Sequence, residues 1–400
     1  MSEQLGAGSP TPKEEILRRI DGLKRLMAGS GIDFCVIMQH ADLFYYTGSI
    51  QKATLVVPLA GEPLYFVERN VERAAPESPL SITAAKTDKA IGEVLKGNGI
   101  LKGKGGMELD VVPVALFQRF TRIVGFDNFI DISTIIKEQR IVKSPFELDQ
   151  VRKSGAICDA VFAMAPRVIG EGVREVDIDA ALVAEGRRFG HQGFIRMRGL
   201  NQEMMNLYVT SGHTGTVASA LDVPVPGFGV SPAIAQGSST KTVERGIPVI
   251  VDYGGGYNGY VTDETRPFVV GELDETFRKP YEVAREIIED TEAFGKEGVN
   301  FTDLFARAME KVRKADLEAH FMGFGDSRVS FIGHGLGLEI NELPVITARH
   351  SRVLAEGTVF ALEPKFVFPG KGVVGIEVDF IVRKERLERV GKTPVDLVRL

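Results

Sequence analysis

Four carboxylates and one imidazole in the C-terminal half are of the types, and at the spacings, that metal chemistry needs. Asp252 and Asp263 bracket a stretch rich in glycine and tyrosine. His334 sits in Gly333-His-Gly-Leu-Gly337, and Glu363 and Glu377 follow in Leu362-Glu-Pro364 and Gly375-Ile-Glu377. Four carboxylates can offset two closely spaced divalent cations, and the imidazole adds one nitrogen donor. If the five converge, the chain is a metal-dependent hydrolase.

The spacings favour convergence. Glu363 and Glu377 each lie seven residues from Gly370, within Phe368-Pro-Gly-Lys-Gly372. A turn there sets them opposite each other on antiparallel strands, with Cβ atoms roughly 5 Å apart. Like charges so placed repel, and a bridging cation removes the objection. Asp252 and Asp263 flank a midpoint between Tyr257 and Asn258 in nearly the same way. Glycine on both sides of His334 leaves room for a close approach by metal or substrate. His40, His191, His320 and His350 lack that context and read as structural.

Two acidic hairpins need a scaffold that turns them toward each other. Thr11-Pro-Lys-Glu14 reads as a capping box opening a helix whose apolar face is Ile16, Leu17, Ile20, Leu23, Leu26 and Met27. Strand-like runs follow at 33–38, 54–59 and 64–67, and short elements alternate to about residue 132. A second capping box, Ser144-Pro-Phe-Glu147, opens a helix expected to reach about Ile169. From there the order helix, helix, strands, acidic hairpin occurs twice, with helices expected over 145–169 and 175–189, then 274–294 and 301–317. The expected fold is α/β (α+β): a leader over 1–10, a small N-terminal α/β domain over 11–136, and a pseudo-symmetric domain over 145–400 with its acidic hairpins facing each other.

Composition narrows the class. Four hundred residues exceed one ordinary core, and 44% hydrophobic with 26% charged residues are the proportions of a globular protein. A formal charge of −6 argues against nucleic acid as partner. The first residues lack the apolar run of a signal peptide, and no stretch approaches the ~18 apolar residues of a membrane span. Cys35 and Cys158 read as buried, reduced thiols. The cytoplasm is the expected location.

On these residues the chain resembles the pita-bread metallopeptidases: methionine and Xaa-Pro aminopeptidases, Xaa-Pro dipeptidases and creatinases. The carriers are Asp252 through Gly271 with Asp263-Glu-Thr-Arg266, Gly-His334-Gly-Leu-Gly, Leu-Glu363-Pro and Ile-Glu377. Asp42-Leu-Phe-Tyr-Tyr-Thr-Gly48 and Arg140-Ile-Val-Lys-Ser144 resemble the domain that precedes the catalytic one in Xaa-Pro peptidases and creatinases. The resemblance implies a small-N-terminal-domain-plus-pita-bread architecture and a homodimer. It implies that Asp252, Asp263, His334, Glu363 and Glu377 hold two Mn, Co, Zn or Fe ions, with Asp263 and Glu377 bridging.

Departures stand beside the matches. Where the family usually has a His seven residues after the ligand His, this chain has Asn341, in Ile340-Asn-Glu-Leu-Pro344. Four residues before the ligand His stands Ser330, and the family's Arg two residues before the last Glu is Gly375. The upstream Pro-His pair is missing from 223–232, and His213, after Ser211-Gly212, is the candidate substitute. Asn can orient a carbonyl but cannot exchange a proton near pH 7. The resulting expectation is a two-metal hydrolase of amide bonds, most like an Xaa-Pro dipeptidase or aminopeptidase. Metal-bound hydroxide would be the nucleophile, Glu363 would shuttle the proton, and Asn341 and His213 would be further catalytic candidates. The alternatives are a creatinase-like or other enzyme of a non-peptide small molecule, and a relative that binds metal without catalysis. The substrate pocket is expected near 199–206 and 223–231.

Overall fold

The computed structural model describes residues 9–400, so most of the expected leader lies outside the described residues. The chain divides into two compact units, one ending at Arg140 and one spanning Ile141–Leu400.

The first unit runs α1 (Lys13–Ser30), β1 (Phe34–Ile37), α2 (His40–Thr47), β2 (Ala53–Pro58), β3 (Leu64–Val67), α3 (Val71–Glu77), β4 (Ile82–Ala84), α4 (Asp88–Gly97), β5 (Gly105–Met107), α5 (Val114–Val124), β6 (Phe129–Asp131) and α6 (Ser133–Gln139). Its strands form one mixed sheet in the order β4-β3-β2-β1-β5-β6. Ile16, Ile20, Leu23 and Met27 of α1 are buried as their spacing requires, whereas Leu17 and Leu26 lie at the rim and are exposed. The expected Thr11 capping box does not form. Pro12 takes the N-cap position with extended backbone, so no side chain caps the helix, and the Thr11 hydroxyl is buried without a hydrogen-bond partner.

The second unit begins with α7 (Pro145–Met164), α8 (Glu175–Arg188), β7 (Leu207–Ser211), β8 (Pro248–Tyr257) and β9 (Tyr260–Val269). It repeats the plan with α9 (Glu275–Phe294), α10 (Phe301–Lys314), β10 (Phe331–Gly335), β11 (Glu342–Thr347), β12 (Val359–Leu362), β13 (Lys365–Phe368), β14 (Gly372–Gly375) and β15 (Val378–Val382), then closes with β16 (Leu387–Arg389) and β17 (Val398–Arg399). Ser144 does cap α7: its hydroxyl accepts from Glu147 N, and the Glu147 carboxylate accepts from Ser144 N. That α-helix stops at Met164, five residues before the expected end, and continues as one 3₁₀ turn over Ala165–Arg167.

Strand periodicity separates core from site. On β8, Val249, Val251 and Tyr253 face the core formed with Val161, Phe162, Ile178 and Leu182 of α7 and α8, which sends Asp252 to the other face. In the second half, Phe360, Leu362, Phe366, Val374 and Val378 pack with Ile287, Ile288, Leu304 and Val312 of α9 and α10. Residues 363, 365, 375 and 377 are therefore turned away from those helices, toward the first half. The halves meet where Thr265 and Glu377 exchange backbone hydrogen bonds.

The two hairpins differ in register. Residues 359–362 pair with 378–381, and 365–368 with 372–375, on one continuous register centred on Gly370, which sets Glu363 level with Glu377 as expected. In the other hairpin Tyr257 pairs with Tyr260, so the turn is Asn258-Gly259, one residue later than expected. Asp252 consequently lies opposite Thr265, and Asp263 opposite Gly254. The two aspartates share a face but are diagonal neighbours, not a directly opposed pair.

Candidate metal centre

Asp252, Asp263, His334 and Glu363 line one cavity of about 300 Å³, and Glu377 is buried behind them. His334 pairs with Ala361 of β12 on one side and Val345 of β11 on the other. Its Nε2 lies 3.8 Å from Asp263 Oδ2 and 3.9 Å from Glu363 Oε1. Its Nδ1 lies 3.2 Å from the Gly335 carbonyl, which favours the Nδ1–H tautomer and leaves Nε2 as the lone-pair donor toward the carboxylates. The glycines around it do a different task from the one expected. A Cβ at Gly333 would stand 2.1 Å from Ala361 O, and one at Gly335 2.1 Å from Leu343 O, so they admit the neighbouring strands and not a ligand.

The centre contains a sixth polar side chain, and its one cation among the described residues, beside the four acids and the histidine. Lys365 is 3% exposed, and its Nζ donates to Asp252 Oδ2 at 3.0 Å, Glu363 Oε2 at 3.1 Å and Glu377 Oε2 at 2.7 Å. The signal was available: Lys365 is two residues after Glu363, hence on the same face of an extended strand. Gly375, noted only as a missing arginine, explains how it fits. Gly375 is paired with Lys365, and a Cβ there would lie 2.7 Å from both Lys365 Cα and Cγ.

Supporting hydrogen bonds fix the carboxylates. Thr265 Oγ1 donates to Glu377 Oε2 at 2.9 Å, and Asp263 N donates to Asp379 Oδ2 at 2.7 Å. The buried Arg266 guanidinium holds the Glu377 carbonyl at 2.7 Å and the Glu264 carboxylate at 2.9 Å. Asp379 was also missed, although it lies two residues beyond Glu377 on the same face.

Burial works against the Lys365 ammonium, but Asp252, Glu377 and Glu363 outweigh it and hold its pKa well above the ordinary lysine value. Burial, then repulsion from Glu377 and Asp252, pushes Asp263 well above the usual carboxylate range. Glu377 moves the same way, with burial outweighing the help from Lys365. Carboxylates raised in this manner are those that a bound cation returns to the charged form.

Donor chemistry tests whether metal fits. One oxygen each from Asp263 and Glu377 and a ring nitrogen of His334 lie within 4.8 Å of one another, a set that suits one divalent ion. The Asp252 side is different, because an ammonium fills the space among its carboxylates. The residues thus fit one ion readily, and a second only if Lys365 leaves.

The other expected site residues fare unevenly. Asn341 lines the cavity, but its Oδ1 accepts from Arg198 N at 2.8 Å and its Nδ2 donates to Arg198 O at 2.9 Å. Its amide clasps the backbone of a cavity segment. His213 is exposed on a 3₁₀ turn with its ring against Phe228, 6.4 Å between centroids. It does not line the cavity, because the turn after β7 carries it to the surface. Ser330 is also exposed and outside the cavity. Of the expected pocket segments, Gln202, Met204, Val223, Pro224 and Val225 contribute to the wall, with Met197, Arg198 and Asp222 just before them.

Known proteins match along nearly the whole chain. The model for metallopeptidase family M24 matches residues 149–384, and that for the creatinase/prolidase N-terminal domain matches 19–142. An Xaa-Pro dipeptidase of Pyrococcus furiosus is 28% identical over 382 residues, covering 95% of this chain and 99% of that protein. The structure of a prolidase from Pyrococcus furiosus superposes with a TM-score of 0.77 at 26% identity, over 93% of this chain and 99% of that one. An Xaa-Pro dipeptidase structure from Bacillus anthracis gives 0.82 at 23% identity, over 96% and 100%, and speaks for the fold. With more than half its length matched by the family model, the chain belongs to metallopeptidase family M24, the pita-bread family, and is a metallopeptidase-like hydrolase.

Proposed function

We propose that this protein hydrolyses the amide bond of small peptides, most like an Xaa-Pro dipeptidase or aminopeptidase. The observation that carries the reading is the convergence of Asp252, Asp263, His334 and Glu363 on one cavity of about 300 Å³, the small end of the range for ligand sites. The near full-length likeness to a protein named Xaa-Pro dipeptidase supports the substrate class.

In this reading Asp263, His334, Glu363 and Glu377 are the ligands of a divalent ion. When bound, such an ion supplies Lewis acidity, able to lower the pKa of water from roughly 15.7 to about 7. Glu363 faces the cavity, lies 3.9 Å from His334 Nε2 through Oε1 and touches the Lys365 ammonium through Oε2. It takes the proton of the water that adds to the scissile carbonyl carbon, and delivers it to the nitrogen as the C–N bond breaks. Tyr208 and Arg198, also on the wall, bound the space in which the peptide lies. The proposal includes a homodimer in the cytoplasm, and sedimentation equilibrium would give the mass of two 43.7 kDa chains.

A second reading, a non-peptide amide or related small molecule, is favoured by one observation. The positions where the family resemblance leads one to expect proton-handling and substrate-binding groups hold Asn341, engaged with Arg198, and Gly375, which has no side chain. A matrix of Mn, Co, Zn and Fe against dipeptides separates the two. Cleavage of Xaa-Pro dipeptides supports the first; metal-loaded protein that cleaves no dipeptide but turns over a non-peptide amide supports the second.

A further inference from the structure

We propose that Lys365 is a built-in cation standing where two-metal chemistry would place one of the ions, so that the centre binds a single divalent ion. This rests on reading the cluster as a metal centre, but not on what the substrate is.

Three observations carry it. The first is saturation. An ammonium has three donors and no acceptor, and Lys365 Nζ meets three oxygens from three different carboxylates, at 2.7 to 3.1 Å. Those oxygens come from β8 and from the junctions flanking β13 and β14, so the lysine ties both acidic hairpins together at one point. An ion placed among Asp252, Glu363 Oε2 and Glu377 Oε2 would have to expel an ammonium that is 3% exposed from all three of these partners.

The second is room made for the lysine and for nothing else. Lys365 pairs with Gly375, and any larger residue at 375 would collide with Lys365 Cα and Cγ. The long side chain that the family resemblance expects at 375 is missing, and a long cation appears on the strand directly across. The positive charge has moved from one strand of the hairpin to the other and, from there, reaches into the carboxylates.

The third is charge. Asp252, Asp263, Glu363 and Glu377 carry four negative charges against one ammonium, and Asp263, Glu363, Glu377 and Lys365 are all buried. One divalent ion leaves a single net negative charge. A second divalent ion beside the retained ammonium would make the buried cluster net positive. The oxygens that Lys365 leaves free for the imidazole are Asp263 Oδ2 and Glu363 Oε1, 3.8 and 3.9 Å from His334 Nε2.

The test uses the full chain, stripped with chelator and dialysed against excess Mn(II), with metal counted by plasma mass spectrometry. The expected result is roughly one Mn(II) per chain and an isolated Mn(II) resonance in electron paramagnetic spectra. Lys365→Ala, which removes the charge and opens the space, should rise to roughly two, with the signal of an exchange-coupled pair. Lys365→Met, which fills the space without charge, should stay near the wild-type count. Two ions in the wild type, none in the wild type, or a Lys365→Ala variant that stays at one would each overturn the proposal. If Lys365→Ala does not fold by circular dichroism, the wild-type spectrum decides alone: an isolated ion supports the proposal and a coupled pair refutes it. Failure of the peptide reading is seen separately, as a correct ion count with no dipeptide turnover.

Discussion

Both units bury charge, and they do so differently. In the N-terminal unit Asp42 is matched by Arg140 at 2.7 Å, and Glu15 by Arg19 at 2.8 Å, all four side chains buried. In the catalytic unit one ammonium faces three carboxylates directly and a fourth nearby. A matched buried pair is a structural part, costly to break and inert when intact. With all four acids ionised the cluster is three charges short of neutrality, and burial already pushes Asp263 and Glu377 toward protonation, so a bound cation or protons must make up the difference. The difference distinguishes scaffold from site without reference to any relative.

Breaking the matched pair should have the largest effect on stability and none on metal. Asp42→Ala takes a carboxylate away from the buried Arg140 guanidinium and should cost about 3–5 kcal/mol, read as a lower denaturant midpoint, with the ion count per folded chain unchanged. His334→Ala should do the reverse. Loss of an inner ligand exceeds the 10- to 100-fold cost typical of its supporting partners, so Mn(II) affinity should fall by more than about 100-fold in a titration, while the metal-free melting curve hardly moves. A smaller effect is expected from the clasp. Asn341→Ala removes two hydrogen bonds to the Arg198 backbone and should raise KM by about 10-fold with kcat little changed, since it positions the cavity wall and touches no reacting atom. The smallest belongs to a half-buried surface pair, Asp290 with Arg307 at 2.7 Å and Lys311 beside it at 3.5 Å. The guanidinium hydrogen bond, offset in part by burial, holds Asp290 below the usual carboxylate range. Its contribution is present above the unfolded carboxylate value, about 3.9, and is lost as pH falls through the folded one. Asp290→Asn should therefore lower stability at neutral pH by less than about 1 kcal/mol, with the deficit vanishing and the acid limb shallower as pH falls through the folded carboxylate value.

Periodicity carried much of this into the sequence. The repeated helix, helix, strand, hairpin order was readable because each half buries its own apolar face, and Glu363 and Glu377 were readable as level because a symmetric turn fixes register. The Asp252–Asp263 register was missed by one residue because a glycine-rich stretch offers several turns. Lys365 and Asp379 were legible in principle, each two residues from a recognised acid, but attention to acids and histidines hid them. Asn341 and His213 were not legible. The first depends on a partner 143 positions away in the chain, and the second on where a short 3₁₀ turn points an exposed ring. Thr11 shows the limit of local motifs: the capping-box letters are present, yet Pro12 takes the cap.

With one lysine already in place, the buried cluster is proposed to complete itself with one divalent ion. A crystal of the full chain grown with excess Mn(II), measured near the manganese absorption edge, tests it most directly. The account requires one anomalous peak per chain, contacting Asp263, His334 and Glu363 or Glu377, with the Lys365 ammonium still on Asp252 and Glu377. Two peaks with the lysine displaced, or no peak at all, would contradict it.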